Sequence, residues 1–411
     1  MAGKKIGLLP GTYAVASLAS GSDSGDYQRP VLHIPAGSAG SPTVVQSVTA
    51  RAAIVNYSNS SNVNSCIGQN TGGAGLWTLD GIVINATGYN GSAISYFPGG
   101  TNSGATIQNC EIYGIAATTV GNNYAGIFQQ GANGTLIQNN YFHDIHKPSQ
   151  PDHCHAIEEY GCSKTQILYN TIKNCDTGID GKVDDNNCTI AFNYLYNCPY
   201  GAIQGYDGDQ NSTEAVNTFH NNVIDSCGQQ KLVDVSSLCE QPVVWYNNTS
   251  YDSRSGSNST IDLRSTVGGS VRYYNNLVVM TANSGGPYVG TVAFSSGGIA
   301  LCDYNSYYFN SYSSAWGQGS VYSSMAAWKA SPGSPDAHSI VGDPVFSAAI
   351  SPGGGPLQFQ LSGTYGHGGS SPCAAAGQNG ANIGAWDGTV SQIGCNFLSG
   401  ATPNSPHLSV S

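Results

Sequence analysis

The sequence predicts an all-β solenoid, a stack of parallel coils, and three observations carry that prediction. A short motif returns along the chain as Ile107-Gln-Asn-Cys110, Ile137-Gln-Asn-Asn140, Ile167-Leu-Tyr-Asn170, Ile190-Ala-Phe-Asn193, Thr218-Phe-His-Asn-Asn222, Val244-Trp-Tyr-Asn-Asn248, Arg272-Tyr-Tyr-Asn-Asn276 and Leu301-Cys-Asp-Tyr-Asn305. Its last residues are 30, 30, 23, 29, 26, 28 and 29 positions apart, a period that belongs to stacked repeats. A second short strand follows each motif by roughly ten residues, and no helical spacing intervenes. Such a repeat cannot bury its apolar face alone, so neighbours stack into one continuous core.

Each part of the motif has a physical task. The apolar residue before the turn and the one two places after it (Ile112, Phe142, Ile172, Leu195, Ile224, Val278) alternate with polar neighbours, as half-buried strands do. The Asn at the turn can hydrogen-bond to its equivalents along the stack and satisfy backbone that would otherwise be orphaned inside. The Asn column is therefore read as fold, not chemistry. The later strand reads Gly126-Ile127-Phe128, Ala156-Ile157-Glu158, Gly178-Ile179-Asp180, Ala202-Ile203-Gln204, Leu232-Val233-Asp234 and Thr260-Ile261-Asp262.

Composition narrows the partners. The 411 residues hold 13 Lys plus Arg and 24 Asp plus Glu, a net charge of −11, and only 9% are charged. Thirteen scattered cations cannot neutralise a phosphate track or an anionic bilayer, which excludes non-specific nucleic-acid and membrane-surface binding. With 40% hydrophobic residues the chain can build a core. No apolar run is long enough to span a bilayer. Twelve cysteines, 54 glycines and several Asn-X-Ser/Thr triplets favour a secreted, extracellular protein, although no signal peptide is visible at Met1. A monomer is expected.

These features bring out a resemblance. The ladder, the opening Leu9-Pro-Gly-Thr-Tyr13 and His33-Ile-Pro-Ala-Gly37, and the closing His338-Ser-Ile-Val-Gly-Asp343-Pro-Val-Phe346, Ser371-Pro-Cys373 and Ile383-Gly-Ala385 resemble the right-handed parallel β-helix superfamily of pectate lyases, over residues 6 to 395. The resemblance implies a single-stranded right-handed parallel β-helix of about nine to eleven coils over residues 1–310. An irregular C-terminal cap over 311–411 would pack on the same solenoid, with closing strands at Asp343-Pro-Val-Phe346 and Leu357-Gln-Phe-Gln-Leu361. It also implies a polysaccharide as substrate or ligand. The paired-Asp and Arg-Ile-Lys motifs of polygalacturonases, the Asp-Pro-His-Glu-Gln run of mannuronan epimerases and the Leu-Arg-His-Gly run of some alginate lyases are absent. Asn174-Cys-Asp-Thr-Gly-Ile-Asp-Gly-Lys182 is partly similar to a calcium-dependent pectate lyase family.

If the isoleucines of the later strand point inward, the next residues form an outward column: Phe128, Glu158, Asp180, Gln204, Asp234 and Asp262. Two residues on lies a second column, Gln130, Tyr160, Lys182, Tyr206, Ser236 and Arg264. Glu158, Glu159, Asp180, Asp184, Asp185, Asp207 and Asp209 crowd this stretch. Three readings follow. In a lyase acting on a uronate-containing polysaccharide, Glu158, Asp180, Asp184 and Asp185 would bind Ca2+. Lys182 would then be the base, with Tyr160 or Tyr206 as alternates and Arg264 as charge stabiliser. Lys182 beside carboxylates would be held protonated unless a cation occupied them. In a glycoside hydrolase, Glu158 and Asp180 on adjacent coils would lie about 5 Å apart, the retaining separation.

Without catalysis, Tyr160, Tyr206, Trp245, Tyr246, Tyr273 and Tyr274 would be stacking platforms of a glycan-binding surface protein. Tyr160, Tyr206, Asp234 and His155 are the candidate substrate contacts. His143, His146, His153 and His155 are the one histidine cluster in the sequence, but their spacing matches no specific zinc motif. Cys175, Cys198 and Cys227 should share one column, and Cys373 with Cys395 is a candidate disulfide tying down the last turns.

Overall fold

The computed structural model describes residues 3–399 except 16–29, 39, 58–64, 70–74, 90, 98–103, 117–122, 183–184, 206–215, 229–232, 235–241, 253–260, 264–270, 282–291, 295–298, 310–315, 319 and 365–369. Three strands per coil build three long sheets of 11, 12 and 12 strands. Every strand in the first sheet pairs with its counterpart three strands on, in parallel. The other two sheets follow the same rule, except that the third ends in one antiparallel pair, Trp316–Gln318 with Val321–Tyr322. Among the described residues, no helix is long and apolar enough to cross a membrane.

The interior is a set of apolar columns, one or more per sheet. Ile107, Ile137, Ile167, Ile190, Phe219, Trp245 and Tyr273 line the first; Ile112, Phe142, Ile172, Leu195, Ile224, Val278 and Tyr307 the second; Ile127, Ile157, Ile179, Ile203, Ile261, Val292 and Trp316 the third. All are buried, and each such aliphatic side chain contributes about 1.5–3 kcal/mol by leaving water.

The asparagine ladder runs as the repeat predicts. The backbone N–H of Cys110 donates to Asn140 Oδ1 at 2.9 Å, and Asn140, Asn170, Asn193, Asn222, Asn248 and Asn276 donate in the same way to the next Asn, at 2.9–3.0 Å, ending on Asn305. Each side-chain amide also donates to a carbonyl of the preceding coil, as Asn193 Nδ2 does to Ile167 O at 2.8 Å. The residue before each ladder position is left-handed, φ from 52° to 59°: Asn109, Asn139, Tyr169, Phe192, Asn221, Asn247, Asn275 and Tyr304. Asn tolerates that conformation at little cost, which explains the Asn-Asn pairs. Buried Asp336 closes the ladder, accepting from Asn305 Nδ2 (2.8 Å), Tyr307 Oη (2.9 Å) and Trp328 Nε1 (2.6 Å).

The C-terminal stretch differs from the expected end cap. After Ile340–Val341 extends the second sheet, the chain turns back along the outer face of that sheet. Phe359, Leu361, Ile383, Trp386 and Ile393 pack on Tyr194, Val223, Tyr251, Leu277 and Val279. Along the way Gly384 N–H reaches Asn275 O (2.8 Å), Gly394 N–H reaches Phe192 O (2.8 Å), and the Arg51 guanidinium lies 3.6 Å over the Phe397 ring. The cause is the second sheet itself, whose strands Thr249–Asp252 and Leu277–Met280 are buried on both faces and need a cover. Asp343–Phe346 forms no strand; Phe346 and Leu361 make one antiparallel bridge, and Leu357 sits in a 3₁₀ turn. The Cys373–Cys395 disulfide is not formed, because the Cys373 thiol is buried and free, 3.2 Å from Ser306 Oγ. Cys198 N–H meets Cys227 Sγ at 3.4 Å, so those two cysteines do stack.

Asn193→Ala removes the acceptor for Asn170 N–H and Nδ2 (2.9 and 3.0 Å) in a closed interior. Urea unfolding should show a loss of about 1–3 kcal/mol per orphaned group, whereas a loss under about 0.5 kcal/mol, the surface-substitution range, would make the ladder ornamental.

Candidate active site

The third sheet sets the register of the outward columns. Phe128 pairs with Glu158, Glu158 with Asp180, Asp180 with Gln204, Gln204 with Asp234, and Asp234 with Asp262. Alongside, Gln130 pairs with Tyr160 and Tyr160 with Lys182. Adjacent coils are about 4.8 Å apart, so these side chains meet.

They meet as a charged knot. Lys182 Nζ lies 3.0 Å from Glu158 Oε1 and 2.9 Å from Asp180 Oδ2. Asn123, from the coil before, donates through Nδ2 to Glu158 Oε1 (2.6 Å) and to Tyr160 Oη (2.7 Å), and its own Oδ1 is bonded by His153 Nδ1. The His155 ring lies between the carboxylates, Nε2 3.6 Å from Glu158 Oε1 and Nδ1 3.5 Å from Asp180 Oδ2. Glu158 and His155 are fully buried and Asp180 nearly so, while the Lys182 side chain is 28% exposed. Lys182 Nζ also lies 5.5 Å from the centroid of the Tyr160 ring.

Strict alternation would put His155 inside with Ile157. The strand escapes it because two consecutive residues turn inward at each coil: Ala156 with Ile157 is matched by Gly126 with Ile127, Gly178 with Ile179 and Ala202 with Ile203. Space there admits little else; a Cβ on Gly126 or Gly178 would fall 2.6 or 2.3 Å from the next coil's carbonyl. The resulting bend throws His155 to the same side as Glu158, three residues on. His155 is thus a sealed partner of the carboxylates and not the substrate contact expected of it.

Electrostatics follow from burial and pairing. Burial pushes the Glu158 carboxyl up to about 7, although Lys182 opposes the shift. Burial, with Lys182 nearby, holds the His155 imidazole well below its ordinary value, so it is neutral. Burial works against the Lys182 ammonium, but Asp180 and Glu158 outweigh it and raise its pKa. Burial also raises the Tyr160 phenol, with Glu158 adding to it, so Tyr160 keeps its proton.

Other expected site residues fall elsewhere. Asp185 turns into the tube, where its Oδ1 accepts from Cys162 N–H at 2.6 Å, so its expected place in a metal set on the outer wall is corrected. Glu159 also faces inward, bonded by Gln129 Nε2, because it follows Glu158 in an alternating strand. The Gln204 amide bends away to Tyr200 O (2.7 Å). Asp184, Tyr206, Asp207, Asp209 and Arg264 lie outside the described residues, and for Asp234 the strand pairing is what is described. Trp245 and Tyr273 are buried in the core, and the Tyr246 and Tyr274 rings stack on each other at 5.1 Å. Trp245 and Tyr273, sealed in the core, are not platforms for sugars, while Tyr246 and Tyr274 are half-buried. The histidine cluster is dispersed as well. His143 bonds Asp144 (2.8 Å) and Glu111 (3.2 Å), and His146 bonds Asp176 (2.9 Å), both apart from His155.

Among the described residues, His155, Glu158 and Asp180 are the one group whose His, Cys, Asp or Glu ligand atoms all lie within 4.8 Å of one another. Of the four carboxylates expected to hold calcium, which takes six to eight oxygens, Glu158 and Asp180 are in this group, Asp185 is committed to Cys162, and Asp184 lies outside the described residues.

Residues 66–249 match the family model described as the right-handed β-helix region. The crystal structure of pectate lyase Pel9A superposes with a TM-score of 0.50 at 13% identity, over 93% of this chain and 87% of that one. The chain is a right-handed parallel β-helix. A rhamnogalacturonan lyase (TM-score 0.44, 11% identity, 71% of this chain and 78% of that one) and Jun a 1, the major allergen from cedar pollen (0.40, 12%, 78% and 82%), are more distant solved structures. No curated protein matches the sequence. At 13% identity the pectate lyase Pel9A structure shows a shared fold.

His146 provides a check on the local electrostatics. Its hydrogen bond to Asp176 raises its pKa above the ordinary 6.5, against the pull of burial. A raised folded-state pKa means stability present at low pH and lost as pH rises through that value. A histidine NMR titration should place His146 above 6.5 and Asp176→Asn should bring it down; an unshifted His146 in the wild type would break the pairing.

Proposed function

We propose that this β-helix is an extracellular polysaccharide lyase that cleaves a uronate-containing polymer by β-elimination. The observation that carries the reading is the knot at the third-sheet wall: a fixed ammonium (Lys182), a carboxyl lifted to about 7 (Glu158) and a protonated phenol (Tyr160), linked through Asn123. The fold it shares with a solved pectate lyase is further support.

The sequence alone suggested Lys182 as base. Held between two carboxylates, Lys182 is instead the cation that meets the uronate carboxylate and makes the C5 proton more acidic. Glu158, whose carboxyl burial pushes up to about 7 while Lys182 opposes the shift, takes the C5 proton. The electron pair of the C5–H bond forms the C4=C5 double bond, the C4–O4 bond breaks, and O4 leaves with the proton of the Tyr160 phenol. Asn123 holds both Glu158 and Tyr160, and Asp180 keeps Lys182 on station.

A second reading has one observation in its favour. Glu158 and Asp180 present oxygens within 4.8 Å, close to the retaining separation of a glycoside hydrolase. Polymannuronate, polygalacturonate and neutral glucans separate the two. The lyase reading expects the ultraviolet absorbance of an unsaturated uronate product from an acidic polymer, undiminished by chelator. It expects Glu158→Gln and Tyr160→Phe each to lower kcat by about 10²–10⁴-fold. Reducing sugar without that absorbance would instead indicate hydrolysis, and wild-type rates in both variants would remove the site.

A further inference from the structure

Three atoms in the knot have no hydrogen-bond partner although they are buried: His155 Nδ1, His155 Nε2 and Glu158 Oε2. His155 and Glu158 are both 0% exposed. An unpartnered imidazole in a closed space costs about 1–3 kcal/mol per group, and this one faces a carboxylate oxygen from each nitrogen at 3.5–3.6 Å. The ammonium of Lys182 donates to Glu158 Oε1 and Asp180 Oδ2 and leaves both His155 nitrogens without a hydrogen bond.

We propose that the His155–Glu158–Asp180 nest binds one divalent transition-metal ion of the zinc class in exchange for the Lys182 ammonium. Imidazole nitrogen and carboxylate oxygen are both zinc ligands, at about 2.0–2.2 Å, and three protein ligands leave a fourth position open. With one ligand atom from each residue the three lie within 4.8 Å of one another, against about 3–3.5 Å around such an ion, so binding draws them together by roughly 1 Å. Nitrogen in the set selects against calcium and magnesium. Lys182 has somewhere to go, since it is the exposed member of the group and its long stem can carry the ammonium out to solvent. The metal and the ammonium are alternatives for one place. The consequence for catalysis rests on the lyase reading: an ion holding Glu158 takes away its base, so metal loading silences the enzyme while chelation restores it.

Calorimetric titration of the chelator-treated, dialysed full chain with Zn2+ tests the binding without reference to activity. The expected result is one saturable site, with Lys182→Met at least about tenfold tighter and His155→Ala at least about tenfold weaker, and with Ca2+ showing no saturable binding over the same range. Circular dichroism controls for folding of His155→Ala; should that variant not fold, the affinity gain of Lys182→Met decides alone. Absence of Zn2+ binding in both the wild type and Lys182→Met overturns the proposal, as does unchanged affinity in a folded His155→Ala or tighter binding of Ca2+ than Zn2+. Inhibition of product formation by Zn2+ is measured separately. Binding without lyase activity would sink the enzymatic reading and keep the site, and lyase activity without binding would do the reverse.

Discussion

Everything in this molecule depends on register. Parallel coils with one ladder of main-chain hydrogen bonds per sheet fix each residue against its counterpart one coil away, and a slip of one residue would turn every side chain to the opposite face. The asparagine column pins that register from inside: from Asn140 to Asn276, each ladder Asn presents one amide oxygen to the preceding coil and takes another from the following one. The outer wall inherits the same alignment. Lys182 meets Glu158 and Asp180 because Ile157 is paired with Ile179 underneath them.

That dependence explains which features were legible in the sequence. The repeat spells out the ladder and the two outward columns, since a period-two strand next to a known inward residue leaves little freedom. Asn123 was not legible: it precedes its strand, and only the pairing of Tyr124 with Cys154 puts it beside His153. His155, expected as a substrate contact, does lie on the side of Glu158 and Asp180, but it is sealed between them. The recurring Gly-Ile and Ala-Ile pairs were visible, and their meaning, two inward residues in succession, comes from the close approach of backbone to backbone that only small residues permit. Asp185 and Glu159 were counted with the wall because acidic residues are expected outside, yet inside the tube their oxygens serve Cys162 N–H and the Gln129 amide. The tail was written in the second sheet, whose outward Val223, Leu277 and Val279 are apolar where an exposed wall would be polar.

The knot itself runs against the economy of the rest. In a chain with so few charges, two carboxyls and a histidine are gathered in near-complete burial beside a partly exposed ammonium. A buried ion pair is weak evidence of stabilisation, since desolvation offsets much of the attraction. Structural need does not account for it: the neighbouring Gln204 and Phe128 fill the same column on adjacent coils without any charge. On the proposed lyase reading these perturbed groups beside a partly exposed cation are the place of the chemistry, and the opposite displacements of Glu158 and His155 arise from one cause, burial.

The central claim is that coil-to-coil register assembles this site, and cross-linking tests it most directly. In Tyr160→Cys/Lys182→Cys the two positions are paired, about 4.8 Å apart and within disulfide range. In Tyr160→Cys/Asp180→Cys the positions are offset by two residues, about 8 Å apart and beyond it. Oxidation followed by mass mapping should find the first cross-link and not the second. Formation of the second in place of the first would mean the coils are shifted, and Lys182, Glu158 and Asp180 would not meet.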